Sequence, residues 1–236
     1  MNKKFLHLAL VGLLATTYIH TGVRVFMRDI KVFTQSFIAN RKQIGAIAPC
    51  SPYVGAELVR YIAKDTAPKR ILEVGAGTGV LTYEIIEKMR KHGDYLDVIE
   101  IDPELCKILQ EKFKDHKNVT VHCISIIDWK PQYKYDYIIS SLPFNSFSES
   151  FVKSILDHYV HIIKPQGILS YVEYIGLPKI NKRFLKTAEA VEDFEKLQKM
   201  LTKFRKKYAI KTVNIFLNVP PIHVHHLRIE KNLAAC

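Results

Sequence analysis

The chain is short of acid. Its 236 residues carry 35 Lys and Arg against 23 Asp and Glu, a formal charge of +12. That shortage directs it toward polyanions, either nucleic acid or the anionic face of a membrane, without choosing between them. Cysteine is scarce as well. Cys50, Cys106, Cys123 and Cys236 lie far apart in sequence, with no CxxC pair. This excludes the zinc-ribbon spacings and reads as reduced thiols in a cytosolic protein. Cys236 is the last residue and so cannot open a prenylation box. There is no internal repeat and no low-complexity linker, so the length reads as one domain, or one domain with an appendage. Chains of this size bury roughly 70% of their unfolded surface, ample for a core.

The N-terminus lacks a small-x-small cleavage site. After Met1-Asn2-Lys3-Lys4 an apolar stretch runs from Phe5 to about Val23, interrupted by His7, Thr16, Thr17, His20 and Thr21. It is just long enough to cross about 30 Å of hydrocarbon. It reads as a membrane-anchoring or interfacial helix; a signal peptide and a helix packed on the domain are the alternatives. From Arg24 to Arg41 the residues Phe26, Ile30, Phe33 and Phe37 recur at helical steps, with Arg24, Arg28, Lys31 and Arg41 on or near the polar side. That pattern fits a membrane-surface helix, or equally a Phe stripe packed as core. The expected division is 1–44 for these helices and 45–236 for the main domain. If the first stretch spans a membrane, the flanking bases would keep that domain on the cytoplasmic side.

Beyond an irregular turn at Gly45–Pro49 and a helix from Pro52 to about Ala63, short apolar runs alternate with 3.6-periodic segments. The expected strands are Ile71–Val74, Leu96–Ile101, Val119–Ile124, Tyr135–Ser140, Ile168–Tyr174, Lys211–Asn218 and His223–Ile229. The expected helices are Val80–Lys91, Pro103–Phe113, Ser148–Ile163 and Phe184–Tyr208. Alternation implies an α/β fold, a parallel sheet with helices on both faces. Val219-Pro220-Pro221 is too short for a parallel crossover, so the last two strands form an antiparallel hairpin. A seven-stranded, Rossmann-like sheet ending in such a hairpin resembles the class I methyltransferase plan.

The chemistry concentrates in two loops. Glu73-Val74-Gly75-Ala76-Gly77-Thr78-Gly79 joins the first strand to a helix, where Cβ atoms would obstruct a ligand. Glycine spacing of GxGxG, the acid Glu73 ahead of the loop, and Glu100 with Ile101 ending strand two favour S-adenosylmethionine over a dinucleotide. Glu73 suits an amino-acid moiety and Glu100 the ribose hydroxyls. Ser125 with Ile126 is the expected adenine contact, Asp128 the reserve. Strand four ends in Ser140-Ser141-Leu142-Pro143-Phe144-Asn145, which resembles the turn of amine-directed methyltransferases. There, backbone carbonyls orient an amine lone pair for in-line displacement, and the Phe144 face attracts a cation. Adenine methyltransferases usually begin this turn with Asn or Asp; here it is Ser141. Glu173 or Tyr174, ending strand five, are candidates for binding the ammonium or taking its proton, with core packing the alternative. Glu173 and Tyr171 share one face and Tyr174 takes the other. His223 and His225 share a face, but no third metal ligand is visible in the sequence and no metal is expected.

Three segments together resemble the bacterial phospholipid N-methyltransferase family, which converts phosphatidylethanolamine toward phosphatidylcholine. They are Gly45-Ala46-Ile47-Ala48-Pro49-Cys50-Ser51, the Ser141–Asn145 turn, and Asn218-Val219-Pro220-Pro221. Cys50 and Ile222 depart from the family's usual serine and alanine. The resemblance implies cofactor roles for Gly45, Ala46 and Ser51, recruitment of anionic membrane by the basic helix, and a phospholipid substrate. Nucleic acid is no partner on this reading, and no obligate protein partner is evident. The alternative is an rRNA adenine N6-methyltransferase, against which stand Ser141 and the absence of a helical RNA-binding domain after Ile229.

Overall fold

The central strands are buried on both faces, as strands covered by helices on each side must be. In β1 (Arg70–Val74) every residue after Arg70 is buried, and in β2 (Tyr95–Glu100) every residue after Tyr95. The computed structural model describes residues 51–62, 67–90, 93–175, 188–218 and 221–230. The stretch 5–23, the stripe 24–41, the boundary at 44/45, and Gly45 and Ala46 lie outside the described residues.

The remaining elements are α1 (Pro52–Leu58), α2 (Val80–Lys88), α3 (Pro103–Phe113), β3 (Val119–Cys123), β4 (Tyr135–Ser140), α4 (Glu149–Ile162), β5 (Ile163–Tyr174), α5 (Ala188–Tyr208), β6 (Ala209–Ile215) and β7 (Ile222–Arg228). Strand order is β3-β2-β1-β4-β5-β7-β6 in one seven-stranded sheet. Five strands run parallel, and β7 is antiparallel to both β5 and β6. This is the expected Rossmann-like methyltransferase plan, closing hairpin included. The order reverses between β1 and β4, and the crevice beyond their carboxyl ends is where open α/β sheets hold ligands.

Two apolar layers flank the sheet. Val54 and Leu58 of α1, Leu81 and Ile85 of α2, and Leu109 and Phe113 of α3 pack on one side. Val152, Ile155 and Tyr159 of α4, with Leu197 and Leu201 of α5, pack on the other. Local chemistry sets the helix starts. Asp102 accepts hydrogen bonds from the Glu104 and Leu105 amides while Pro103 occupies the first turn of α3. Ser148 caps α4 by accepting from the Phe151 amide.

Two expectations are corrected here. Strand five starts at Ile163 rather than Ile168, because Lys164-Pro165-Gln166-Gly167, which punctuates the sequence like a connection, is absorbed into the strand. Gln166 takes φ +64°, and a Cβ on Gly167 would lie 2.7 Å from Ile163 Cγ1. The cysteines are not all separate thiols either. Cys106 and Cys123 are in disulfide contact, Cα atoms 5.7 Å apart, because the crossover through α3 returns the chain beside β2.

Helix α1 is tied to the sheet by a buried polar chain. Glu57 takes both guanidinium arms of Arg60 at 2.6 Å and lies 3.2 Å from His226 Nε2. The other His226 nitrogen shares a hydrogen bond with the Ser170 hydroxyl at 2.8 Å. At the head of α1 the Ser51 amide donates to Asn218 Oδ1 at 2.9 Å. Ser51 and Asn218, 167 residues apart in sequence and each from one of the family-like segments, therefore meet at the ligand edge.

Candidate functional site

The loop after β1 turns on three left-handed glycines: φ is +79° at Gly75, +61° at Gly77 and +84° at Gly79. Side chains rarely tolerate that region. Neighbours add a second constraint. A Cβ on Gly75 would sit 3.0 Å from Leu142 Cδ2 and 3.2 Å from Ser141 Oγ. On Gly79 it would meet Leu109 and Phe113 at 2.8 and 2.9 Å. The loop is held to β2 by the Gly75 amide on the Ile99 carbonyl, 2.9 Å, and by the Gly77 amide on Glu100 Oε2, 2.7 Å.

Two carboxylates end the neighbouring strands, in different conditions. Glu100 is satisfied by backbone. Beyond Gly77, its Oε1 accepts from the Ile101 amide at 2.8 Å and the Asp102 amide at 3.0 Å. One lone pair of Oε2 remains for a ribose hydroxyl. Glu73 is fully buried, and neither carboxylate oxygen has a hydrogen-bond partner. Burial pushes its pKa up to about 8; the nearby Thr82 hydroxyl offsets part of the rise without reaching hydrogen-bonding geometry, and the charge of Glu100 adds to it. An orphaned buried carboxyl is costly. An alkylammonium arriving at the glycine loop would supply the missing donors. The α-amino group of adenosylmethionine is such a cation, so the residues present fit this cofactor.

At the expected adenine contact, Ile126 is buried, Ser125 half-buried and Asp128 exposed. Ser125 takes the Asp128 and Trp129 amides on its carbonyl at 3.0 and 3.1 Å.

The second loop bends sharply after β4. The Ser141 hydroxyl donates to the Gly75 carbonyl at 2.5 Å, so this side chain braces the glycine loop. The Ser140 hydroxyl accepts from Tyr159 at 3.0 Å and from the Leu142 amide at 3.4 Å. The Leu142 carbonyl takes the Phe144 amide at 3.0 Å, just ahead of one 3₁₀ turn, Phe144–Ser146, closed by the Ser146 amide on the Pro143 carbonyl at 2.8 Å. One lone pair of the Leu142 carbonyl stays available. Phe144 departs from expectation. Its ring is 1% exposed and packs against Tyr171 at 5.3 Å, inside the apolar layer under α4, so it does not present a face to a cation. Asn145, the last residue of this turn, is buried. Its Oδ1 accepts from Gln198 of α5 at 3.1 Å while the buried Nδ2 has no partner.

Strand five ends as the alternation required: Tyr171 joins the α4 and α5 layer and Tyr174 the opposite one. Glu173 also departs from expectation. Arg205 of α5 donates to it at 2.6 Å, and His225 Nε2 lies 3.5 Å away. Burial opposes its charge, but these partners win and hold the carboxyl below the ordinary glutamate range. A carboxylate so stabilised is a weak base, which argues against Glu173 as proton acceptor. Nothing in the sequence singled out Arg205, one base among many in the Lys199–Lys211 run. His223 shares a hydrogen bond with Asn214 at 2.7 Å and His225 one with Thr212 at 2.9 Å.

A family model described as ribosomal RNA adenine dimethylase matches residues 28–172. Ornithine lipid N-methyltransferase of Singulisphaera acidiphila is 27% identical over 165 residues, covering 67% of this chain and 83% of that protein. Ribosomal RNA small subunit methyltransferase A of Mycoplasma mycoides subsp. mycoides is 31% identical over 136 residues, 55% of this chain and 45% of that one. Among solved structures, N-methyltransferase NodS from Bradyrhizobium japonicum in complex with S-adenosyl-L-homocysteine superposes with a TM-score of 0.56 at 15% identity, covering 75% of this chain and 86% of that one.

Proposed function

Because the chain belongs to the ribosomal RNA adenine dimethylase family and is an S-adenosylmethionine-dependent N-methyltransferase, we propose that its substrate is the primary amine head group of a membrane lipid. Phosphatidylethanolamine, methylated toward phosphatidylcholine, is the leading candidate. Ornithine lipid carries the same amine chemistry. The observation that carries this reading is the position of Ser141. The residue that opens the amine-directed turn spends its hydroxyl on the Gly75 carbonyl and offers no amide or carboxylate side chain to a base amino group. Relationship to an ornithine lipid N-methyltransferase across most of that protein's length supports the same substrate class.

The surface around the ligand edge fits a lipid partner. Phe216 and Leu217, at the tip of the β6–β7 hairpin, are 69% and 68% exposed, and Tyr53 at the head of α1 is 60% exposed. The Ser51–Asn218 bond holds these two segments together. Exposed aromatic and aliphatic side chains there would enter the interfacial zone of a bilayer. The basic stripe 24–41, which leads into this edge in sequence, would add attraction to anionic lipid on the cytoplasmic face.

Adenosylmethionine supplies the methyl group. The chain's own residues bind and orient. Glu73 would receive the cofactor's ammonium, Glu100 would share its free lone pair with the ribose, and the Leu142 carbonyl would accept a hydrogen from the substrate amine to aim its lone pair. With Glu173 ion-paired to Arg205, the amine's proton leaves to solvent.

The test uses purified full-length protein, methyl-labelled adenosylmethionine, and three acceptors: mixed vesicles containing phosphatidylethanolamine, the same vesicles with ornithine lipid instead, and undermodified ribosomal RNA. Label is expected in lipid, faster when anionic lipid is present, and the two vesicle arms tell the head groups apart. Label in RNA as N6-methyladenine with none in lipid would replace this reading with the rRNA one.

A further inference from the structure

One pair of side chains near the cofactor loop has no part in the binding or transfer just described. Cys106 sits in the first turns of α3 and is 2% exposed; Cys123 ends β3 and is exposed. Their Cα separation of 5.7 Å lies in the range that a disulfide spans without moving the backbone. Both are wired to Glu100. Cys123 is its register partner across β2 and β3. The Cys106 sulfur lies 3.4 Å from the Glu100 carbonyl, to which a thiol there donates. The Cys106 amide bonds the Asp102 carbonyl at 2.9 Å, and the Asp102 amide in turn holds the Glu100 carboxylate. Cys106 thus has two alternative partners: the Glu100 carbonyl as a thiol, and Cys123 as a disulfide.

We propose that Cys106 and Cys123 form a thiol–disulfide exchange site that tightens cofactor binding when oxidised. The accessible thiolate of Cys123 attacks a small disulfide such as oxidised glutathione, forming a mixed disulfide and releasing one glutathione thiolate. The Cys106 thiolate then attacks the Cys123 sulfur, forming the protein disulfide and releasing the second glutathione. The two protons lost by the cysteines end on the two glutathione thiols, and the two electrons lost by the cysteine sulfurs reduce the glutathione disulfide. Disulfides of this kind in a reducing compartment are transient and sensing rather than structural. The bond fastens the first turns of α3 to the end of β3. Glu100 lies between those anchors, and Ser125 lies two residues beyond one of them. Fixing this corner before the ligand arrives lowers the ordering cost of binding.

The experiment measures S-adenosylhomocysteine affinity by calorimetry on full-length protein equilibrated with oxidised glutathione or with a phosphine reductant, alongside peptide mapping. Mapping should find Cys106 joined to Cys123 in the oxidised sample only. The oxidised form should bind about fivefold tighter, at the low end of coupling between sites. Cys123→Ser, an exposed change on an edge strand, should bind alike in both conditions. Three results would overturn the proposal: no Cys106–Cys123 link, a link with unchanged or weaker affinity, or a redox effect that survives in Cys123→Ser.

Discussion

Glu73 and Glu173 are both buried glutamates close to the carboxyl end of a parallel strand, and the protein treats them in opposite ways. Glu173 has its cation built in, Arg205 at 2.6 Å, and is held ionised. Glu73 has none, and its two oxygens are bare. On the proposed reading, the substrate half of the sheet therefore satisfies its charge internally, whereas the cofactor half leaves a carboxyl to be satisfied by what binds. The pH dependence differs in sign. Glu173, with a depressed pKa, contributes stability that is present above the ordinary glutamate value and is lost as pH falls through the depressed one. Glu73, raised to about 8, contributes stability that is full below the ordinary value and is lost as pH rises through about 8.

The two halves touch where Gly75 meets Ser141 and Leu142, and the largest effect is expected there. Gly75→Val places a branched side chain in the left-handed region, at about 1–2 kcal/mol for the backbone alone, against atoms 3.0 and 3.2 Å away. Adenosylhomocysteine binding should fall below calorimetric detection while the circular dichroism of the sheet persists. Retained affinity would mean that the loop is not the cofactor cradle.

Arg205→Ala tests the built-in cation. Removing one partner of a buried pair strands the other, and with Arg205 partly exposed the cost should be about 3 kcal/mol, the low end for such pairs. Urea unfolding would show it, and adding Glu173→Gln should recover most of the loss. A cost near zero would show that Arg205 is not what holds Glu173 ionised.

That pair also marks where the sequence stopped being readable. Apolar runs and glycine punctuation located all seven strands, and the hairpin followed from Val219-Pro220-Pro221 alone. The glycine loop, Glu73 and Glu100 were legible because their spacing is local. What distance in sequence concealed was pairing. Arg205 reaches Glu173 across 32 residues, Ser51 meets Asn218 across 167, and Cys106 meets Cys123 across a whole crossover. Phe144 looked like a cation platform because an aromatic after proline at a strand end resembles one. Only the fold shows it turned under α4 against Tyr171.

Glu73→Gln addresses the bare carboxyl. At neutral pH the wild-type group must hold a proton that the unfolded chain would release, which costs roughly 3 kcal/mol given a folded pKa of about 8. The amide escapes that cost, so the variant should unfold later. Its advantage should grow as pH rises from the ordinary glutamate range to about 8 and then level off. Cofactor affinity should fall at least tenfold, since a hydrogen bond from the ligand's ammonium to a carboxylate contributes about 1.5–3 kcal/mol. Wild-type binding should also release a proton below pH 8, visible as a buffer-dependent enthalpy. A variant neither stabler nor weaker in binding would mean that Glu73 does not await a cation.

The smallest effect belongs to Ser141→Ala, and it separates bracing from chemistry. The hydroxyl's bond to the Gly75 carbonyl spans 2.5 Å, and the removal of a neutral hydrogen bond costs about 1 kcal/mol. If the hydroxyl only braces the glycine loop, the loss appears in cofactor KM, about fivefold by that energy. Turnover at saturating cofactor should then fall little, because the interaction is the same in ground and transition states. If the hydroxyl instead grips the substrate amine, kcat drops and cofactor KM holds. The second outcome would move Ser141 from the cofactor half to the substrate half. It would also restore the parallel with the Asn or Asp that opens this turn in adenine methyltransferases, and so weaken the lipid reading at the residue on which it rests.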